Sequence, residues 1–88
     1  MEHLNIKIYG RVQGVFYRYT ARKKAKELGI LGFTRNETDG SVYIEAEGGK
    51  EPLKNFVAWC RRGPIGAAVK TITAEKEEVK NYKDFKIL

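Results

Sequence analysis

From Leu4 to Tyr9, apolar and polar residues alternate: Leu4, Ile6 and Ile8 against Asn5, Lys7 and Tyr9. A period of two places each set on its own side of a strand, which predicts a half-buried first strand. Beyond a loop from Gly10 to Phe16 the period changes. Tyr17, Ala21, Ala25 and Leu28 recur at spacings of four, four and three and so share one helical face. Arg22, Lys23, Lys24 and Lys26 occupy the rest of that surface, and Gly29 suits the left-handed backbone that ends a helix. Leu31 to Glu37 and Ser41 to Glu47 again read as strands, joined by the turn residues Thr38, Asp39 and Gly40. In the second of these, Val42, Ile44 and Ala46 point one way, and Ser41, Tyr43, Glu45 and Glu47 the other. Gly48-Gly49 breaks that strand. Pro52 suits a first helical turn, and Leu53, Phe56, Val57 and Cys60 follow at helical spacing until Gly63-Pro64. Val69 to Val79 is an extended candidate, and Phe85 to Leu88 a short final strand.

The order strand, helix, strand, strand, helix, strand predicts an α+β fold, a ferredoxin-like βαββαβ sandwich. We expect one domain over residues 1–88, with two helices on one face of an antiparallel sheet of four strands and room for a short fifth at the C-terminus. A chain of 88 residues suits one domain and buries roughly 60% of its unfolded surface, enough for one modest core. No stretch approaches the ~18 apolar residues of a membrane span. The N-terminus alternates instead of forming the apolar block of a signal peptide, and the expected location is cytoplasmic. Cys60 is the sole cysteine, so an intrachain disulfide is excluded, in keeping with a reducing compartment. With His3 the only histidine, histidine-based metal clusters and Ser/His/Asp or Cys/His couples are disfavoured.

The net charge of +6 admits nucleic acid or small phosphorylated anions as partners. The basic residues are dispersed and mixed with glutamates from Glu75 to Glu78, which fits solubility and general anion attraction better than a duplex footprint. The segment Gly10 to Arg18, GRVQGVFYR, carries more chemistry. A glycine-containing loop between strand and helix can converge its N–H groups on an anion together with the first amides of the helix. Arg18 would add a planar, permanently charged fork that matches two phosphate oxygens. The same segment is also readable as a tight turn followed by a surface arginine. Asn36, near the end of a strand in Gly32-Phe33-Thr34-Arg35-Asn36, could position a water through its carboxamide. It could equally serve the turn, where asparagine is common.

Taken together, GRVQGVFYR and GFTRN-x-x-x-G-x-V, followed by Gly48, resemble the acylphosphatase family. Gly63-Pro64 with Ala67 and Val69, and the closing Asp84-Phe85-Lys86-Ile87, extend the resemblance over essentially the whole chain. It implies the βαββαβ sandwich and hydrolysis of the carboxyl–phosphate bond of acyl phosphates to a carboxylate and inorganic phosphate, without metal or cofactor. Matched to this sequence, the family's catalytic arginine is Arg18 and its catalytic asparagine Asn36. The phosphate-cradling backbone matches Arg11, Val12, Gln13, Gly14, Val15, Phe16 and Tyr17. Two positions depart from common family forms. Thr34 stands where a small apolar residue is usual, and Phe16 where glycine or a small residue is. A Phe16 side chain directed away from the loop amides would be harmless.

The resemblance also implies a phosphate oxygen of the substrate as proton acceptor, since no motif places a histidine or carboxylate as base. Small acyl phosphates and inorganic phosphate are then the partners of an expected monomer. Nothing legible marks a pocket for the acyl portion. A non-catalytic phosphate- or RNA-binding ferredoxin-like module is the competing class. RNA-recognition motifs read bases with aromatics on a central strand, whereas Ser41 to Glu47 offers one aromatic and two carboxylates. A regulatory domain of the kind found in hydrogenase-maturation proteins is a third class, which the absence of a second domain disfavours. Cys60 is expected in the core, Trp59 at the core edge, and Tyr9, Tyr17, Tyr19 and Tyr43 in packing. His3 is expected to be exposed and without a role, and Glu45, Glu47, Glu75, Glu77 and Glu78 to be solvated strand positions.

Overall fold

The computed structural model describes residues 1–88 as β1 (Glu2–Arg11), α1 (Tyr17–Glu27), β2 (Leu31–Asn36), β3 (Val42–Gly48), α2 (Lys50–Arg62), β4 (Ala68–Glu77) and β5 (Phe85–Ile87). The strands form one sheet in the order β4-β1-β3-β2-β5. The pairs β1–β3, β1–β4 and β2–β3 are antiparallel, as expected of the βαββαβ plan. The fifth strand differs. It runs parallel to β2, with Gly32 opposite Phe85 and Thr34 opposite Ile87, so the sheet is mixed. Its direction follows from its approach: the chain leaves β4 at one edge and crosses the sheet to reach the other.

Alternation decides the core. Ile6 and Ile8 of β1 and Val42, Ile44 and Ala46 of β3 are buried, and they meet Tyr17, Ala21 and Ala25 of α1 and Leu53, Phe56 and Cys60 of α2. Val12, the residue just past β1, joins the same core and anchors the loop that it begins. No helix is long and apolar enough to cross a membrane.

The opposite face of the sheet contradicts three sequence expectations. His3, Glu45 and Glu47 are buried, not solvated. The connection from β4 to β5, residues 78–84, straps across that face and covers them. Glu47 accepts hydrogen bonds from the backbone N–H groups of Lys80 and Tyr82, and Glu45 from the Tyr82 and Tyr43 hydroxyls, each 2.7 Å away. Nδ1 of His3 lies 2.7 Å from a Glu47 oxygen, and Nε2 lies 2.8 Å from Asn5 Oδ1 and 3.1 Å from Glu45. Glu75, Glu77 and Glu78 remain exposed as expected.

Candidate active site

The loop between β1 and α1 is Val12–Phe16. Arg11 ends β1, paired with Ala68, and Tyr17 is the first residue of α1, so the segment expected to cradle phosphate runs from the end of one element to the start of the next. The pairing of β1 with β4 shifts register between Tyr9 and Gly10. Gly10 has φ +127°, and a Cβ there would lie 2.2 Å from the Ala68 carbonyl oxygen, so only glycine permits this close approach. The shift turns the chain out of the sheet and into the loop. Gly14 at φ +75° and Phe16 at φ 62° then reverse it into α1. Phe16 occupies the left-handed region in which a β-carbon is strained, a physical reason for glycine to suit this position.

The tight path leaves a run of donors without acceptors. None of the N–H groups from Val12 to Tyr19 donates to a backbone carbonyl, and the first such bond of the helix is Thr20 N–H to the Phe16 oxygen. The helix has no side-chain cap and no acidic residue in its first turn, unlike α2, which carries Glu51 there. Its positive end is therefore uncompensated. Arg18, half-buried in that first turn, reaches only the Leu88 main-chain oxygen, with Nη1 at 3.4 Å. Arg18 opens with Val12, Gly14, Phe16 and Tyr17 onto one cavity of about 280 Å³. Val15 is half-buried against the core.

Asn36 ends β2 opposite Val42, is exposed, and does not line that cavity. The alternation of β2 sets it on the face of the buried Thr34, the face that carries the helices. Two bridges tie it to the loop. The Gln13 amide donates to the carbonyl oxygens of Glu37 at 2.8 Å and Ser41 at 2.9 Å, immediately beyond Asn36. On the other side Arg18 meets Leu88, whose N–H donates to the Thr34 carbonyl at 2.8 Å, two residues before Asn36. The hairpin itself is stiffened by Asp39, which accepts from the Ser41 hydroxyl at 2.6 Å and pairs with Lys7 at 3.2 Å. The Ser41 hydroxyl and amide, with Lys7, hold the Asp39 carboxyl down at about 2.

A sequence model of the acylphosphatase family, described simply as "Acylphosphatase", matches residues 4–87. The chain belongs to the acylphosphatase family. An acylphosphatase of Thermotoga petrophila is 41% identical over 87 residues, covering 99% of this chain and 97% of that protein. The crystal structure of acylphosphatase from Bacillus subtilis superimposes with a TM-score of 0.98 at 31% identity, covering 100% and 99% of the two chains. A full-length HypF in its phosphate- and nucleotide-bound form is also similar, with a TM-score of 0.89 at 30% identity, over 99% of this chain but 12% of that one.

As an acylphosphatase the chain is an enzyme, and several features of its loop go beyond the sequence pattern. The Gln13 side chain, read from the sequence only as backbone, is a strut between loop and hairpin. Its amide, placed in a loop among apolar neighbours, is the one signal that pointed to it. Tyr19, expected in packing, is exposed. Cys60 behaves as expected: it is buried and desolvation pushes its thiol up to about 12, which removes it as a nucleophile. The Tyr17 hydroxyl donates to its carbonyl at 2.7 Å and locks the start of α1 onto α2.

Thr34 is accommodated at a cost. Its hydroxyl is buried and finds no protein partner. Thr34→Val should raise stability by about 1 kcal/mol, because it removes an unpaired polar atom at nearly constant volume. Urea unfolding with an unchanged slope and a higher midpoint is the expected reading. A lower midpoint would show that the hydroxyl contributes a bond.

Proposed function

We propose that this chain hydrolyses small acyl phosphates by holding the phosphoryl group on the Val12–Tyr17 amides and Arg18 while Asn36 positions the water. The run of N–H groups without acceptors, beside an arginine with no ion pair, carries this reading. An anion with several oxygens supplies the acceptors that both lack. The carboxylate leaving group is stable as it departs, so the protein's task is placement and charge stabilisation of a loose phosphoryl transition state. The water oxygen bonds to phosphorus while the bond from phosphorus to the acyl oxygen breaks and leaves its electron pair on the carboxylate. One water proton passes to a non-bridging phosphoryl oxygen.

No group of three or more His, Cys, Asp and Glu side chains is arranged to hold a metal ion, and the proposed steps call on none. The same reading takes residues 1–88 as one domain acting as a monomer in the cytoplasm.

Hydrolysis of acetyl phosphate in the presence of a chelator, with competitive inhibition by inorganic phosphate, is the direct test. Asn36→Ala should lower kcat by roughly 10²-fold while phosphate inhibition stays within about twofold, since a positioning amide acts on the attack and not on the anion. Full activity in Asn36→Ala would remove it from the reaction. Salt-sensitive RNA binding with no hydrolysis would overturn the whole reading.

A further inference from the structure

The helical layer over the sheet is incomplete at β4. Ala74 pairs with the buried Ile6 and so points to the helix side, yet Ala74 is exposed. Between α2 and that edge strand lies a groove of about 510 Å³. It opens beside the start of β1, whereas the β1–α1 loop leaves the end of that strand. Leu4, Leu53, Val57, Ala58 and Ala74 supply its apolar surface. Lys50, Lys54 and Arg61 of α2 and Lys76 of β4 flank it, with Glu2 the sole acidic member. None of the three α2 cations is ion-paired, and Lys76 reaches Glu2 only at 3.9 Å. Lys50, Lys54, Val57 and Arg61 stand at helical spacings of four, three and four, one stripe roughly 16 Å long.

We propose that this groove docks an acidic amphipathic helix of a partner protein, laid alongside α2 over the uncovered edge of the sheet. Charge and its spread select the occupant. Four cations against one carboxylate call for an anionic partner. A single head group, as on a fatty acid, would meet one or two of them. The stripe runs over three turns of α2, and carboxylates repeated along a facing helix match that length. The apolar surface argues against a bilayer. Leu53 is buried and Leu4 and Val57 are half-buried, beneath exposed Lys50, Lys54 and Arg61. A bilayer takes up side chains that protrude into it, whereas a recessed strip receives the apolar ridge of a helix. Ala58 and Ala74 keep both walls low, which lets that helix approach closely. No aromatic side chain lines the groove, so a nucleic-acid base finds nothing to stack on. The groove shares no residue with the cavity onto which Arg18 opens, so docking leaves the loop accessible.

The probe is a fluorescein-labelled synthetic helix of about four turns, with leucine along one face and glutamate flanking it. Fluorescence anisotropy should give a dissociation constant on the order of 10 μM with the wild type. A peptide of the same composition, ordered to break the helical period, should bind about tenfold more weakly. Lys54→Glu combined with Arg61→Glu should weaken binding of the helix by about tenfold or more, and so should Ala58→Glu, which sets a carboxylate in the groove. Lys23→Glu, on α1 and outside the groove, removes the same charge and should change binding less than about twofold. All three substituted positions are exposed, and a thermal melt close to that of the wild type shows that the variants are folded. Equal weakening by Lys23→Glu, or equal binding of the peptide without the helical period, would reduce the effect to overall charge and overturn the groove. So would the absence of binding at about 1 mM peptide. Sensitivity to the Lys54 and Arg61 reversals in binding to anionic lipid vesicles or dodecanoate, and not to the peptide, would overturn the helical partner.

Discussion

Arg18→Ala should lower kcat/KM for acyl phosphate hydrolysis by roughly 10³-fold and abolish inhibition by millimolar inorganic phosphate. The loss is large because the guanidinium is the one side-chain cation at the cavity, and transition-state charge on a phosphoryl group responds steeply to an arginine. It should appear in both constants: kcat falls as charge stabilisation is lost, and KM rises as phosphate binding weakens. Arg18→Lys should recover only part of it. A lysine restores the charge but offers a point donor where a bidentate fork is needed. Stability should be nearly unchanged in either variant, since the guanidinium makes a single long hydrogen bond within the protein, to the Leu88 oxygen. Steady-state kinetics with a phosphate inhibition series, alongside a thermal melt, separates these effects. An Arg18→Ala enzyme retaining a tenth or more of wild-type kcat/KM would show that the loop amides suffice. That result would assign Arg18 to structure.

The elements that position this chemistry were legible because they obey local periods. Tyr17, Ala21 and Ala25 share a buried helical face as their spacing predicts, and Val42, Ile44 and Ala46 enter the core on alternate positions of β3. The start of the loop was less legible. Gly10 and Arg11, expected in the loop, fall to β1 because ladder pairing with β4 continues past the glycine, whereas Tyr17 opens α1 as its spacing predicts. The tie between the loop and the hairpin that follows Asn36 could not be read from periodicity. It depends on Gln13 reaching 24 residues along the chain to Glu37, a contact with no periodic signature. The polar face of the sheet misled in a more general way. Alternation says which residues share a side, but the side itself is wet or dry according to what crosses it. Here the crossing segment is more than thirty residues downstream of Glu45 and Glu47.

That covered face should yield the largest stability effect in the chain. Glu47→Ala should destabilise the fold by about 3–5 kcal/mol, the range for removing one partner from a buried charged network. The Glu47 carboxylate is fully buried, sits 2.7 Å from His3 and accepts the backbone N–H groups of Lys80 and Tyr82. Alanine strands all three donors at once, and with them the strap that carries the chain to β5. For a domain of 88 residues, with typical stability of about 5–15 kcal/mol, that leaves a marginal fold. Burial pushes the Glu47 carboxyl up, but the Lys80 amide, His3 and the Tyr82 amide outweigh it and hold the group below the ordinary carboxylate range. Burial likewise opposes Glu45, and there the Tyr82, Tyr43 and Lys80 side chains prevail. A depressed folded-state value means that the unfolded chain binds protons first as pH falls. The stabilisation is therefore present above the unfolded value of about 4.3 and is lost as pH falls from there through the lower folded-state value. Urea midpoints between pH 3 and 7 should fall steeply below about pH 5 in the wild type and more shallowly in Glu47→Ala. Parallel slopes in the two proteins would show that acid sensitivity arises elsewhere, and a loss below about 1 kcal/mol at pH 7 would mean that the strap holds without its buried anchor.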